Sequence, residues 1–229
     1  MTIFKYALLR NLRSPVAYFA GLLVPSIFII APATMWTDAP AGGLLMLATL
    51  MLLSANLLAA LILEDRMDGA VMKILISPTT MTRYIFQNLL ASILPLTLQI
   101  ILLGTLGLTR YHWSLPFTAG ITITLLAFAM ASAAFAFCWN TYFKSRGNSN
   151  YAFLFFIAVM MLISGLMVPT AALPTAIQHI GAIFYAYWFV RAVTALADYG
   201  TTAWFWLYNG IVLLFGTGFL LLGGSRRKL

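Results

Sequence analysis

Long apolar runs separated by short polar connections dominate this chain. Six of them, at about 16–36, 42–63, 84–108, 117–139, 151–168 and 203–222, are close to the length that spans a bilayer as a helix. A seventh stretch, 171–197, is patchily apolar, and Pro169 and Pro174 would break a continuous span there. Membrane β-strands alternate apolar and polar residues over short segments. These runs are continuous, so the pattern predicts an all-α integral membrane protein with six transmembrane helices. Ahead of the first run, Ile3, Phe4, Ala7, Leu8 and Leu12 interleave with Lys5, Arg10 and Arg13. That predicts a short amphipathic helix over residues 1–15, lying at the membrane interface with its basic side chains toward lipid headgroups, before Pro15 breaks it.

Composition supports this. The chain of 229 residues is 62% hydrophobic and 8% charged, with a mean hydropathy of +0.96. A soluble domain carries about 25% charged residues. The first run lacks a small-residue cleavage site, so it is read as a span rather than a leader. The net charge of +8 could suggest a nucleic-acid partner, but its distribution excludes that need. Eleven basic residues fall on one side of the six-span plan, and only Arg110 and Arg191 fall on the other. The positive-inside rule makes the basic side cytoplasmic, with both termini inside the cytoplasmic membrane. Tryptophans such as Trp36, Trp113 and Trp139 fall near span ends, where amphipathic rings prefer the headgroup level.

Residues 64–80, EDRMDGAVMKILISPTT, are the interior exception to this greasiness. Met67, Val71, Ile74 and Leu75 recur at helical spacing, Glu64, Asp65 and Asp68 stand at the front, and Ser77-Pro78 closes the pattern. A connector could be much shorter. Two readings of this amphipathic cytoplasmic helix remain open: it rests its apolar face on lipid, or it docks into a groove of a soluble partner.

The order Glu64-x-Arg66-x-x-Gly69 followed by Leu75-x-Ser77-Pro78 resembles the segment between the second and third spans of ATP-binding-cassette type-2 permeases. Ser164-Gly165, Pro169 and Leu173-Pro174 are similar to that family's stretch after the fifth span. Ala70 stands where Thr or Ser is usual, Lys73 where an acid is frequent, and Phe184-Tyr185 where an Asn-Pro often precedes the tail.

The resemblance implies a single transmembrane domain over 1–229, with the exporter fold of the G-type subfamily. It makes 64–80 a coupling helix seated in an ATPase subunit, and 169–200 a re-entrant outer hairpin. It assigns ATPase coupling to Glu64, Arg66, Asp68, Gly69, Val71, Leu75, Ser77 and Pro78. It also places spans two and five against a second permease protomer, so that Asn56, Phe153, Phe156, Met160, Met161 and Ser164 line a substrate pathway.

No G-x-x-x-x-G-K-[ST] phosphate loop is present, so ATP and Mg are expected on a partner ATPase and no cofactor on this chain. The two histidines, His112 and His179, have no second ligand or triad partner at a useful spacing, so no metal or catalytic residue is expected. Cys138 reads as a small buried hydrophobe. The span interiors contain no ionisable residue, which argues against proton-driven transport. Asn56, Thr97, Gln99, Thr122, Thr124, Ser164 and Asn209 are expected to hydrogen-bond between helices.

The expectation is a permease subunit of an ATP-driven exporter, half of a homo- or heterodimeric pathway, from a bacterial source. Its cargo would be an amphipathic or lipophilic molecule: a drug, a lipid-like compound or a hydrophobic peptide. The alternative is a channel or scaffold that needs no ATPase.

Overall fold

The structure is a computed structural model that describes residues 2–30, 34, 36, 40–67, 81–168 and 172–225, and all regular structure among them is helical. In chain order the helices are α1 (Thr2–Arg13), α2 (Pro15–Tyr18), α3 (Val24–Ile30), α4 (Pro40–Met67), α5 (Met81–Thr109), α6 (Leu115–Asn140), α7 (Arg146–Ser164), α8 (Thr175–Gly181), α9 (Tyr185–Tyr199) and α10 (Ala203–Ser225), with a π-helical turn (Phe19–Leu23) between α2 and α3. Helices α4, α5, α6, α7 and α10 are long and apolar enough to cross a membrane. The first expected span differs. It reaches Ile30 through the π turn as a shorter apolar helix, and most of its remainder lies outside the described residues.

Helix α6 is the axis of the bundle, packing against α4, α5, α9 and α10. Its most apolar window is 78% buried, against 28% for α7 and 22% for α10, which therefore form the periphery. Alanines 127, 129, 131, 133, 134 and 136 make this possible by presenting little more than backbone to the neighbours. A Cβ added at Gly216 of α10 would stand 3.2 Å from the Ala131 Cα, and one at Gly223 would meet Phe137 at 3.0 Å and Cys138 at 3.2 Å. Small residues that let helices approach this closely replace the hydrophobic drive that lipid removes.

Two prolines explain how α1, α3 and α5 lock together. Proline has no N–H, so the carbonyl four residues earlier in a helix loses its partner. For Pro95 that carbonyl belongs to Ala91, and the buried Asn11 of α1 donates its side-chain amide to it at 3.3 Å. For Pro25 it belongs to Gly21, and the Gln99 amide of α5 donates to it at 2.7 Å. Membrane helices tolerate proline when neighbours satisfy the freed groups in this way. Arg10 on the same face of α1 turns into the protein rather than toward headgroups, while Lys5 and Arg13 stay exposed.

At one end of the bundle the last carbonyls of α3 are capped from the α5–α6 connection. The Tyr111 hydroxyl donates to the Ile29 carbonyl at 2.5 Å, and Arg110 donates to the Ile30 carbonyl at 2.9 Å. Burial holds the Tyr111 phenol above its usual range despite the nearby Arg110, so it remains a donor. Trp36, Tyr111, Trp113 and Phe117 form a ring cluster there, tied by the Trp113 indole N–H to the Trp36 carbonyl at 2.9 Å.

Helices α8 and α9 are bent by 106° against each other. Leu196 of α9 packs on Gly120, while the Tyr185 hydroxyl meets the Ser132 hydroxyl at 3.2 Å. Helix α9 thus runs antiparallel beside α6 for about 17 Å, and its first turn is buried in the middle of the bundle.

Candidate functional site

The end of the bundle opposite the aromatic cluster collects the charges. Asp65, near the close of α4, pairs with Arg10 of α1 and accepts a hydrogen bond from the Tyr84 hydroxyl of α5 at 2.9 Å. Arg10 also donates to the Asn88 side chain at 3.0 Å, and the Gln87 side chain accepts from the Phe4 backbone N–H at 3.2 Å. Glu64 pairs with Arg146 in the first turn of α7. Each carboxylate is about a quarter to two-fifths exposed. The end of α4 is therefore tied to α1, α5 and α7 together. Arg66 lies in the last turn of α4. Asp68, Gly69, Val71, Leu75, Ser77 and Pro78 lie outside the described residues, as does the helix expected from them.

Just inside this charged end a buried amide network joins three helices. The Asn56 amide of α4 donates to the Asn150 side-chain oxygen of α7 at 3.0 Å. The Asn140 amide of α6 donates to the Asn56 side-chain oxygen at 3.2 Å and to its own helix's Ala136 carbonyl at 2.8 Å, and the Ser149 hydroxyl donates to the Asn140 side-chain oxygen at 2.9 Å. This network explains why α7 begins at Arg146 although hydropathy alone starts the span near residue 151. Its polar first turns are anchored to α4 and α6. The helix ends at Ser164 because Gly165 adopts φ 90°, a left-handed cap that favours glycine.

The other intramembrane polar residues divide. Gln99 reaches across to α2–α3, as expected. Thr97, Thr122, Thr124 and Asn209 instead bond carbonyls of their own helices, leaving no interhelical bond from them among the described residues.

Along the bundle side, an apolar cleft of about 910 Å³ opens between α3, α4, the end of α7 and α9. Phe28, Leu45, Met46, Thr49, Met161 and Met167 are among its walls. Methionine and leucine make an adaptable, nearly uncharged surface.

Of the pathway residues expected from the sequence, Met161 lines this cleft. Phe153, Met160 and Ser164 are fully buried, and Phe156 is partly buried. Phe153 and Phe156 pack in tilted and edge-on contacts against Phe135 and Trp139 at centroid distances of 5.1–5.7 Å. The exposed face of α7 carries Tyr151, Leu154, Phe155 and Leu162 instead. From α4 the resemblance singled out Asn56, whereas the cleft is lined by Leu45, Met46 and Thr49 of that helix. That helix is apolar on every face, so periodicity marks no side as the lining one.

The described residues thus form a bundle of apolar helices with one charged end, a buried polar belt and a side cleft. The sequence model of the ABC-2 type transporter family matches residues 1–197, and the chain belongs to that family of transmembrane permeases. Comparison with curated proteins returns no match.

Proposed function

We propose that the chain is the permease subunit of an exporter powered by a separate cytoplasmic ATPase, with ATP and Mg held by that partner. The observation that carries this reading is the tethering of the α4 terminus. The ion pairs Arg10–Asp65 and Glu64–Arg146 couple the start of the 64–80 segment to α1, α5 and α7. A push on that segment then moves several helices at once rather than bending a loose connection. In this reading Asp68, Gly69, Val71, Leu75, Ser77 and Pro78 meet the ATPase, while Glu64 and Asp65 transmit its displacement inward. The charged end is cytoplasmic by the positive-inside rule, and α8–α9 is a re-entrant hairpin filling the outer half of the bundle.

The apolar cleft suits an amphipathic or lipophilic cargo. Its α4 and α7 walls, together with the exposed apolar face of α7, suit closure by a second permease protomer, as rings and aliphatic side chains left open on a bundle side require a cover of lipid or protein. Purification from native membranes tests the reading. The expected result is stoichiometric recovery of an ATPase subunit, lost on replacing Gly69 with a bulky residue while the chain itself stays folded. Recovery of the chain alone, from membranes in which it is active, contradicts it.

A further inference from the structure

A second pocket, of about 530 Å³, lies between α8, α9 and α10, away from the apolar cleft. Its chemistry is different. Arg191, His179 and Gln178 bring polar groups into it, Trp188, Trp204 and Tyr208 supply rings, and no carboxylate lines it. The Trp204 and Tyr208 rings stack at 6.1 Å, and Trp188 meets Tyr208 at 5.9 Å.

Arg191 is the unusual feature. It lies on α9 between the Leu196–Gly120 and Tyr185–Ser132 contacts, about 15 Å along the bundle from the start of α6. Its Nε donates to the Tyr187 hydroxyl at 3.1 Å, and its guanidinium carbon stands 5.4 Å from the Tyr187 ring centre. Tyr187 is one turn nearer the N-terminus of α9, which is the deep end. The guanidinium is thus held back toward the deep end of α9, while the Arg191 side chain stays exposed on the side of the bundle. The ion pairs among the described residues are Arg10–Asp65 and Arg146–Glu64, so no described carboxylate pairs with Arg191. An exposed guanidinium on the side of a membrane bundle faces lipid, and with its terminal nitrogens free of an acid among the described residues it is costly there unless an anion reaches it. Leading away from the pocket, Leu207, Ile211 and Leu214 form an apolar stripe on α10 at helical spacing, with Leu207 50% and Leu214 70% exposed.

We infer that this pocket binds the phosphodiester headgroup of an anionic amphiphile, with Arg191 holding the phosphate oxygens and the acyl chain lying along Leu207, Ile211 and Leu214. Guanidinium and phosphate match in a two-pronged geometry, and the aromatic wall packs the glycerol region. The inference stands apart from the ATPase reading, because it concerns a pocket on another face and needs no turnover.

Native mass spectrometry of the full-length chain in neutral detergent tests it, with phosphatidylglycerol, diacylglycerol and inorganic phosphate as separate probes. The expected result is one tightly held phosphatidylglycerol per chain, with affinity falling roughly tenfold or more in Arg191→Gln. Arg191→Lys keeps the charge and recovers part of the binding, and the distant exposed Lys144→Gln changes nothing. Matching elution volumes of the variants on size exclusion separate lost binding from lost folding. Equal binding of phosphatidylglycerol and diacylglycerol, or unchanged binding in a folded Arg191→Gln variant, overturns the site. Inorganic phosphate binding as tightly as the lipid overturns the amphiphile assignment.

Discussion

Replacing Gln99 with leucine removes the side chain that answers for Pro25. The amide donates to the Gly21 carbonyl at 2.7 Å, and Gln99 is 1% exposed, so no water or lipid headgroup can take its place. A buried carbonyl left unpaired costs about 1–3 kcal/mol, whereas interhelical hydrogen bonds in membrane proteins average about 0.6 and reach about 1.7 kcal/mol. One effect works in the opposite direction. The Gln99 Oε1 is itself buried with no partner among the described residues, so leucine also removes an unsatisfied acceptor. The expected net loss is about 1–2 kcal/mol.

The origin of the loss is what the experiment isolates. Alanine at position 25 restores an N–H that can serve the Gly21 carbonyl from within its own helix. Gln99→Leu should therefore cost less in a Pro25→Ala background, by at least about 0.6 kcal/mol. Reversible unfolding in mixed micelles, titrated with denaturing detergent and followed by tryptophan fluorescence, gives the four free energies of the cycle. Equal costs of Gln99→Leu in the two backgrounds refute the reasoning, because the glutamine then does not compensate for the proline.

Three further outcomes follow from the geometry. Gly216→Val should destabilise the chain by about 1–3 kcal/mol in the same unfolding assay, since its Cβ meets backbone atoms of Ala131 that cannot swing aside; Gly218→Val, with open space around its Cβ, should stay within about 0.5 kcal/mol of the parent. Asn140→Leu deprives both Asn56 and Ser149 of a partner and should cost about 1–3 kcal/mol, with a coupling of about 0.6 kcal/mol or more to Asn56→Leu in a double-mutant cycle. Asp65→Asn weakens the tie to Arg10 and Tyr84, and should lower cargo transport per ATP hydrolysed while leaving recovery of the ATPase subunit unchanged; unchanged transport stoichiometry counts against transmission through this pair.

Five of the six expected spans were legible because each of those runs satisfies the length that a bilayer demands, whatever its neighbours do. Helices α5, α6 and α10 start and stop within a few residues of the expected limits. Charge was legible in the same way, and the structure gathers Arg10, Glu64, Asp65 and Arg146 at one end. Tertiary partnerships were not. Nothing local in Asn11 or Gln99 announces a proline on another helix, and the polar start of α7 reads as a loop until Asn56 and Asn140 are placed beside it. Phe153 and Met160 were expected on a pathway because the family resemblance sets the fifth span against a partner protomer; aromatic and methionine side chains suit a core equally well, and within this chain both are buried. A helix that is apolar all round, as α4 is, hides which face it turns to a cleft.

The central claim is that this bundle is moved by work done elsewhere. Proteoliposomes holding the purified chain, its co-purified ATPase and a fluorescent lipid-like cargo test it directly, read as cargo crossing the membrane with and without ATP. The account predicts transport only when both subunits and hydrolysable ATP are present, and none when ATP is replaced by a non-hydrolysable analogue. Sustained transport by the chain alone, or transport indifferent to the nucleotide, contradicts it.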